Sequence, residues 1–407
     1  MKRILKKSVL AAALTLAATG SAIAGDVRVT YPFYSSYTGE FFKQSADEFM
    51  KKNPDINIVL EEVNWDSLQQ KLTTDISADQ NADIAISATI WLPDFVEAEV
   101  VEPLDSYMDS EFKNRFIPAF LEPANIDGKY YGLPIAASAR ALYYNKSLFD
   151  QAGLSDAPKT WGELKEYSEK ISKIKDHYGF GLQGVEIDTD TYWYYALWSF
   201  GGDLLTPEGA SGVGSDAAIK AANFYKSMID EGLTQPGVTS YTRENVQDLF
   251  KQGRVGMMIT GPWLNGQIEK EAPDLNYGVA VVPTEVTTGT AGVTDSIVMF
   301  SNSKNKKEAW KFLSFLFEKK QRENFSINEG MLPVNKEVAQ NPHYTENPKM
   351  KAFAEVLPSA KFVPLTSAWG EVSEATINAL QSIYLGEKTP EDALKEAEKK
   401  ANSALGF

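Results

Sequence analysis

The feature that most constrains this chain is a repeated alternation near its start: a short apolar strand, a polar and aromatic patch, then an amphipathic helix. Residues 26–30 alternate as a strand on Val27 and Val29 and run into Tyr31, Pro32, Phe33, Tyr34, Ser35, Ser36 and Tyr37. A helix over about 40–52 follows, with Phe41, Phe42, Ala46, Phe49 and Met50 on one face. Residues 57–63 give a second strand ending at Asn64 and Trp65, and Asp66 is placed to cap a helix with Leu68, Leu72 and Ile76 along one side. Residues 82–88 are largely apolar, as suits a parallel strand covered on both faces. This pattern predicts an open α/β sheet. In such sheets ligands sit beyond the carboxyl ends of the strands. Those ends carry Tyr34, Ser35, Ser36 and Tyr37, then Asn64 and Trp65, then Thr89, Ile90 and Trp91.

A basic start (Lys2, Arg3, Lys6, Lys7) leads into an apolar run over 9–18 and the small-x-small triplet Ala22, Ile23, Ala24. That predicts a secretory signal peptide over 1–24, cut between Ala24 and Gly25. A run of about 10 apolar residues is too short to span a bilayer, and no other stretch approaches that length, so direct membrane insertion is not expected. No cysteine follows the expected cut, which speaks against a lipid-anchored form. With no cysteine anywhere, the fold needs no disulfide outside the cytosol. A Gram-negative periplasm suits these features. Removing the leader leaves 383 of 407 residues. Single cores stop growing at roughly 250–300 residues, so two lobes are expected. The leader carries four basic residues and no acid, which moves the formal charge from −15 to −19. A surface so acidic repels phosphate backbones and anionic head groups, and nucleic acid is not an expected partner.

Residues 132–149, GLPIAASARALYYNKSLF, are built differently. A short strand turns at Pro134, crosses the small residues Ala136, Ala137, Ser138 and Ala139, and re-enters an aromatic strand at Leu142, Tyr143, Tyr144 and Asn145. Taken alone this is an ordinary loop between two strands. Its position between an α/β half and a mainly helical half suits a hinge, where small side chains absorb backbone change with little repacking. Beyond it, Thr160 to Glu163 form a capping box opening a helix to about 173. A short strand at 179–182 precedes an aromatic-dense helix over 188–198. Helices at 215–231 and 242–251 follow, then a strand at 255–259. Thr260, Gly261, Pro262 and Trp263 open the next helix, with Pro in the first turn. Strands at 278–282 and 294–300 come next, the latter a candidate second crossing. The rest is helical: 306–319, 350–357, 369–384 and 389–405, the last capped by Thr389.

Cysteine nucleophiles are excluded, and the two histidines, His177 and His343, lie far apart in polar contexts unlike a triad or a zinc site. Asp188-x-Asp190 begins like a calcium loop, but Trp193 stands where the turn glycine belongs and Ser199 where the bidentate glutamate belongs. Gly212, Val213 and Gly214 fit the loose dinucleotide pattern, yet a turn precedes them and no strand. No metal and no cofactor is therefore expected. A hydrolytic carboxylate pair, drawn from Asp188, Asp190, Asp295 and Glu371, stays open, since it requires only a spacing of about 5–9 Å in space. Solvated surface acids account better for most of these.

What stands out is rings beside short polar groups at element ends. Trp and Tyr faces stack on the C–H face of a sugar, while Ser, Thr, Asn, Asp and Arg bond its hydroxyls. Trp65, Trp91, Trp193, Trp263 and Trp369 are the ring candidates. Core packing explains any one of them as well as ligand contact does, but less well when several follow strands or open helices. Arg140 either donates to a ligand or braces the crossing through an ion pair.

The segments LPIAASARALYYNKSLF (133–149), TWGELKEYSEKI (160–171), FGGDLL (200–205), FKQGRVGMMITGPW (250–263), KNKKEAWKFLSFL (304–316) and AWGEVSEATINAL (368–380), in this order, carry a resemblance across nearly all the mature chain. It resembles the family-1 extracellular solute-binding proteins, the maltose-binding-protein-like sugar subunits of ATP-driven importers. The resemblance implies a type II two-lobed binding protein with crossings near 136–139, 291–295 and 337–344. The N-terminal lobe would comprise 25–136 and 292–338, and the C-terminal lobe 137–291 and 339–407. It implies a stacking tryptophan at Trp263 beside Gly261, an aromatic contact at Trp369 and polar contacts near Ser138. N-lobe contacts would come from Tyr34, Ser35, Ser36, Tyr37, Thr89 and Trp91, and C-lobe contacts from Asp190, Tyr192 and Trp193. Trp65, Arg140 and Asp295 complete the candidate ligand set. The implied partners are a carbohydrate and the permease of an inner-membrane ABC importer, with no reaction catalysed. Ser138 stands where the maltodextrin binder has a carboxylate, and Thr89, Ile90 and Trp91 replace an acidic–basic pair. These departures favour a mono- or oligosaccharide other than maltose. Two alternatives remain: a polyol or anionic sugar derivative met by Arg140 or Arg243, and a periplasmic glycoside hydrolase.

Overall fold

A computed structural model describes residues 25–185, 189–356 and 359–407. The expected leader at 1–24, Asp188 and the expected helix end at Leu357 lie outside these residues. Val27 and Val29 are fully buried and set the alternation of β1 (Gly25–Phe33). This strand pairs in parallel with β2 (Ile56–Asn64) along its whole length and with β3 (Ile84–Ala88) on its other side. Every residue of β3 is buried, as a covered parallel strand requires. A small hairpin, β4 (Asn125–Ile126) with β5 (Lys129–Tyr130), leads to β6 (Leu133–Ser138). Two residues later β7 (Ala141–Asn145) begins a different sheet.

That second sheet adds β8 (Tyr178–Phe180), β9 (Val255–Thr260) and β10 (Tyr277–Ala280), in the order β10-β7-β9-β8. The chain then forms β11 (Thr290–Ala291) and returns to the first sheet as β12 (Val293–Met299), antiparallel to both β3 and β6. The first sheet is thus ordered β2-β1-β3-β12-β6, and β11 pairs with β13 (Ala360–Lys361). The result is a two-lobed α/β protein. Phe41 and Phe49 of the helix Thr38–Lys52 pack on Phe325, Phe312 and Phe315 over the first sheet. Trp161, Trp193, Trp198 and Tyr225 fill a second core under the helices Asp216–Asp230, Trp369–Tyr384 and Pro390–Leu405.

Several local expectations shift. Ala136, Ala137 and Ser138 form strand, because β12 takes up their backbone groups, and only Ala139 and Arg140 separate β6 from β7. Pro134 is tolerated because β6 is the outer strand, beside an irregularity between Asp295 and Ser296. The helix expected over 306–319 ends at Leu316, and a second helix, Lys319–Asn328, follows it. Phe317 is fully buried at the break, and the Arg322 Nε caps the first helix by donating to the Leu316 carbonyl at 2.7 Å. The Thr160 hydroxyl accepts the Glu163 amide at 3.1 Å as a cap should, but the Glu163 carboxylate takes the Lys159 amide instead of closing the box. The second helix begins at Trp65 with Asn64 in the cap position, so Asp66 lies inside it. Pro262 likewise precedes the helix Trp263–Glu271 instead of standing in its first turn.

Candidate functional site

Three aromatic side chains meet at the carboxyl ends of β1, β2 and β3. Tyr34 follows β1, Trp65 follows β2, and Trp91 closes a 3-10 turn (Thr89–Trp91) after β3. Tyr34 and Trp65 have ring centres 5.8 Å apart, and Trp65 stacks on Trp91 at 5.8 Å with 23° between planes. Trp65 and Tyr34 are half-buried and Trp91 is buried. The Tyr34 hydroxyl donates to Asp295 Oδ2 at 2.6 Å. Burial and then the Asp295 charge hold that hydroxyl well above its ordinary pKa, so it stays a neutral donor. β12 runs beside β3 with Asp295 opposite Ala88, and this register gathers three hydroxyls. Thr89 Oγ1 lies 2.8 Å from Ser296 Oγ and accepts from Thr294 Oγ1 at 3.0 Å.

At the step from β6 to β7, Arg140 Nη1 donates to Ser138 Oγ at 2.7 Å. The backbone of Arg140 is locked: its amide donates to Thr290 Oγ1 at 3.0 Å, and that hydroxyl donates back to its carbonyl at 2.9 Å. The Arg140 guanidinium lies 4.8 Å from the Trp263 ring centre and that of Arg243 lies 5.3 Å from it, both at cation–π distance. Trp263 follows β9, and a Cβ at Gly261 would fall 2.0 Å from the indole. Only glycine lets the ring fold back over the strand end. The Gly261 carbonyl accepts from the Tyr143 hydroxyl at 3.1 Å, which anchors the turn to β7.

A third set is buried in the second lobe. Asp190 accepts from the Tyr194 hydroxyl at 2.6 Å and from Ser373 Oγ at 2.7 Å. Tyr194 in turn lies 6.5 Å from Trp369. Tyr192 donates to Thr260 Oγ1 at 3.4 Å, and Trp193 is fully enclosed in the core beside Tyr194. Near β1, Ser35 Oγ accepts the Tyr37 amide at 3.0 Å, and the Tyr37 hydroxyl bonds Asn324 Oδ1 at 2.8 Å. The second of these bonds braces the start of the first helix against Lys319–Asn328. Ser36 Oγ accepts from Lys270 Nζ at 3.1 Å, which joins the loop after β1 to the helix Trp263–Glu271 of the other lobe. Thr290, Lys270 and Glu329 carried no local signal in the sequence. Glu329 is 3% exposed, accepts from Thr38 Oγ1 at 2.5 Å, and has its carboxyl pushed up by burial.

Two α/β lobes, each presenting rings and hydroxyls at its strand ends around a crossing, define a binding protein. The chain belongs to the bacterial extracellular solute-binding protein family, whose profile matches residues 35–323. This bears out the family resemblance, and the family is one of binding proteins rather than enzymes. A relative in Brucella abortus (strain 2308), named provisionally as a binding protein, is 55% identical over 403 residues, 98% of either chain. Among solved structures, an ABC-transporter solute-binding protein from Thermotoga lettingae TMO, bound with alpha-D-tagatose, superposes with a TM-score of 0.86 at 27% identity. The match covers 94% of this chain and 100% of that one. Maltose-bound MalE3 of T. maritima gives a TM-score of 0.86 at 26% identity, covering 92% of this chain and 98% of that one.

Proposed function

We propose that this chain captures a mono- or oligosaccharide between its lobes in the periplasm and delivers it, unaltered, to the permease of an inner-membrane ABC importer. One observation carries this reading. Rings and hydroxyls stand at the strand ends of both lobes, with Tyr34, Trp65, Trp91 and Thr89 on one side and Trp263 on the other. The tagatose and maltose held by the two similar structures support a sugar as the solute. Three crossings would join the lobes: at 139–140, near 291–293, and in the stretch after Asn335. The lobes would follow the boundaries drawn from the sequence except at the first crossing, where Ala137 and Ser138 belong to β6 and so to the first lobe, after a leader cut behind Ala24. Stacking on the ring faces and bonds to hydroxyls supply affinity, and the sugar favours the closed form by touching both lobes only there.

The test is a thermal-shift screen over mono- and oligosaccharides, with chromatography to look for products. A sugar that raises the melting temperature and is recovered intact is expected. Trp263→Ala should weaken the best sugar by about thirtyfold or more, the scale of truncating a central tryptophan. Unchanged affinity would remove Trp263 from the site, and sugar turnover would overturn the transport reading.

A further inference from the structure

We propose that the captured sugar carries a single negative charge, a carboxylate as in a uronic acid, and that Arg140 is the group that meets it. This rests on the carbohydrate reading above. Arg140 is 2% exposed. Its Nη1 reaches one neutral hydroxyl, Ser138 Oγ, and its buried Nε has no hydrogen-bond partner. Among the described residues no ion pair includes it. A buried cation left so poorly matched is unfavourable unless an anion joins it.

Arg322, the other deeply buried arginine, shows the contrast. It donates to two backbone carbonyls, Leu316 and Ile135, each at 2.7 Å, and lies against the rings of Phe41, Phe317 and Phe325. Arg322 also leaves one buried nitrogen, Nη2, without a partner, but it gains two carbonyls and three rings, whereas Arg140 is offered one hydroxyl and one indole face. The second guanidinium on that indole belongs to Arg243, within about 10 Å of the first, and Glu244 Oε1 meets it at 3.0 and 2.6 Å. Asp295, whose carboxylate accepts from the Tyr34 hydroxyl, already brings a buried negative charge to the same crossing. Arg140 has no hydrogen-bonded carboxylate among the described residues, and with Asp295 on the neighbouring strand a singly charged carboxylate fits beside it better than the doubly charged phosphate of a monoester. The planar guanidinium fork also matches a carboxylate in two parallel bonds. The hydroxyls of Thr89, Thr294 and Ser296 and the rings of the first lobe remain for the uncharged part of the sugar.

Calorimetric titration of the mature protein separates the possibilities. The probes are D-glucuronate, D-galacturonate and their dimers, the neutral parents glucose, galactose and their dimers, and a glycerophosphodiester. At least one uronate should bind about tenfold or more tighter than its neutral parent, the scale of a charge-assisted bond, and the advantage should shrink at high salt. Arg140→Gln should erase that ratio, and Arg140→Lys should keep only part of it. If Arg140→Gln does not fold, the wild-type ratio alone decides. A neutral sugar bound as tightly as its uronate overturns the charge assignment and leaves sugar capture standing. Preference for the glycerophosphodiester over every sugar overturns the uronate. Binding of none of these probes overturns both the charge and the sugar.

Discussion

Glu329 and Arg322 are both buried near the first lobe's helices, and each shifts in the direction that sheds its charge. Burial lowers the Arg322 guanidinium to about 9 and raises the Glu329 carboxyl. Hydrogen bonds from Thr38 and Ser35 pull Glu329 back only in part. A carboxyl raised on folding binds its proton more tightly in the native state than in the unfolded chain. Its contribution to stability is therefore full below the unfolded value of about 4.3 and is lost as pH rises through the raised folded value. Glu329→Gln removes the titrating group and keeps a carbonyl to accept from Thr38 Oγ1. The variant should melt close to wild type near about pH 4.5 and above it toward about pH 7, the gap widening with pH. Melting curves of both proteins across that range check this. A gap that does not change with pH would show that the folded carboxylate is already relieved of its burial.

Elements that depend on neighbours in sequence were legible; those that depend on distant partners were not. β1, β2 and β3 announce themselves through alternation or an unbroken apolar run, and the helix Pro390–Leu405 through Thr389, which accepts the Asp392 amide at 3.1 Å. The rule that ligands gather at strand ends also put Tyr34, Trp65 and Trp91 together, as their ring contacts do. By contrast, Ala136 to Ser138 look like a loop until β12 arrives from far along the chain to pair with them. The bond from Ser373 to Asp190 likewise joins distant segments, and nothing in the aromatic helix Thr189–Ser199 distinguishes rings that line a cleft from rings that fill a core. The step between β6 and β7 is held in the same non-local way, by Thr290. Thr290→Val keeps the shape but strips the hydroxyl, leaving the buried Arg140 amide and carbonyl without that partner. Urea unfolding should show a loss of about 1–3 kcal/mol, and Thr290→Ser should recover most of it. An equal loss in the serine variant would assign the effect to packing of the methyl group instead.

At the scale of the whole molecule, the contact between Lys270 and Ser36 matters because it links the loop after β1 to the helix after β9 across the space between the lobes. Both residues are exposed, and a polar surface contact of this kind contributes about 0–1 kcal/mol. It is too weak to fix the lobes by itself. A sugar touching Trp263 on one side and Tyr34 or Trp65 on the other makes both sets of contacts only when the lobes are close, so it shifts the population by that difference in affinity. The chain has no native cysteine, which makes paired labelling clean. Spin labels on Glu40→Cys and Glu269→Cys, exposed neighbours of the two contact residues, should give a broad or longer distance distribution without sugar. With saturating sugar the distribution should narrow to a single short distance, and Trp263→Ala should prevent the narrowing at the same sugar concentration. A distribution that sugar binding leaves unchanged would mean that the lobes are already fixed and that affinity resides in a preformed site, with no closing motion for a permease to recognise.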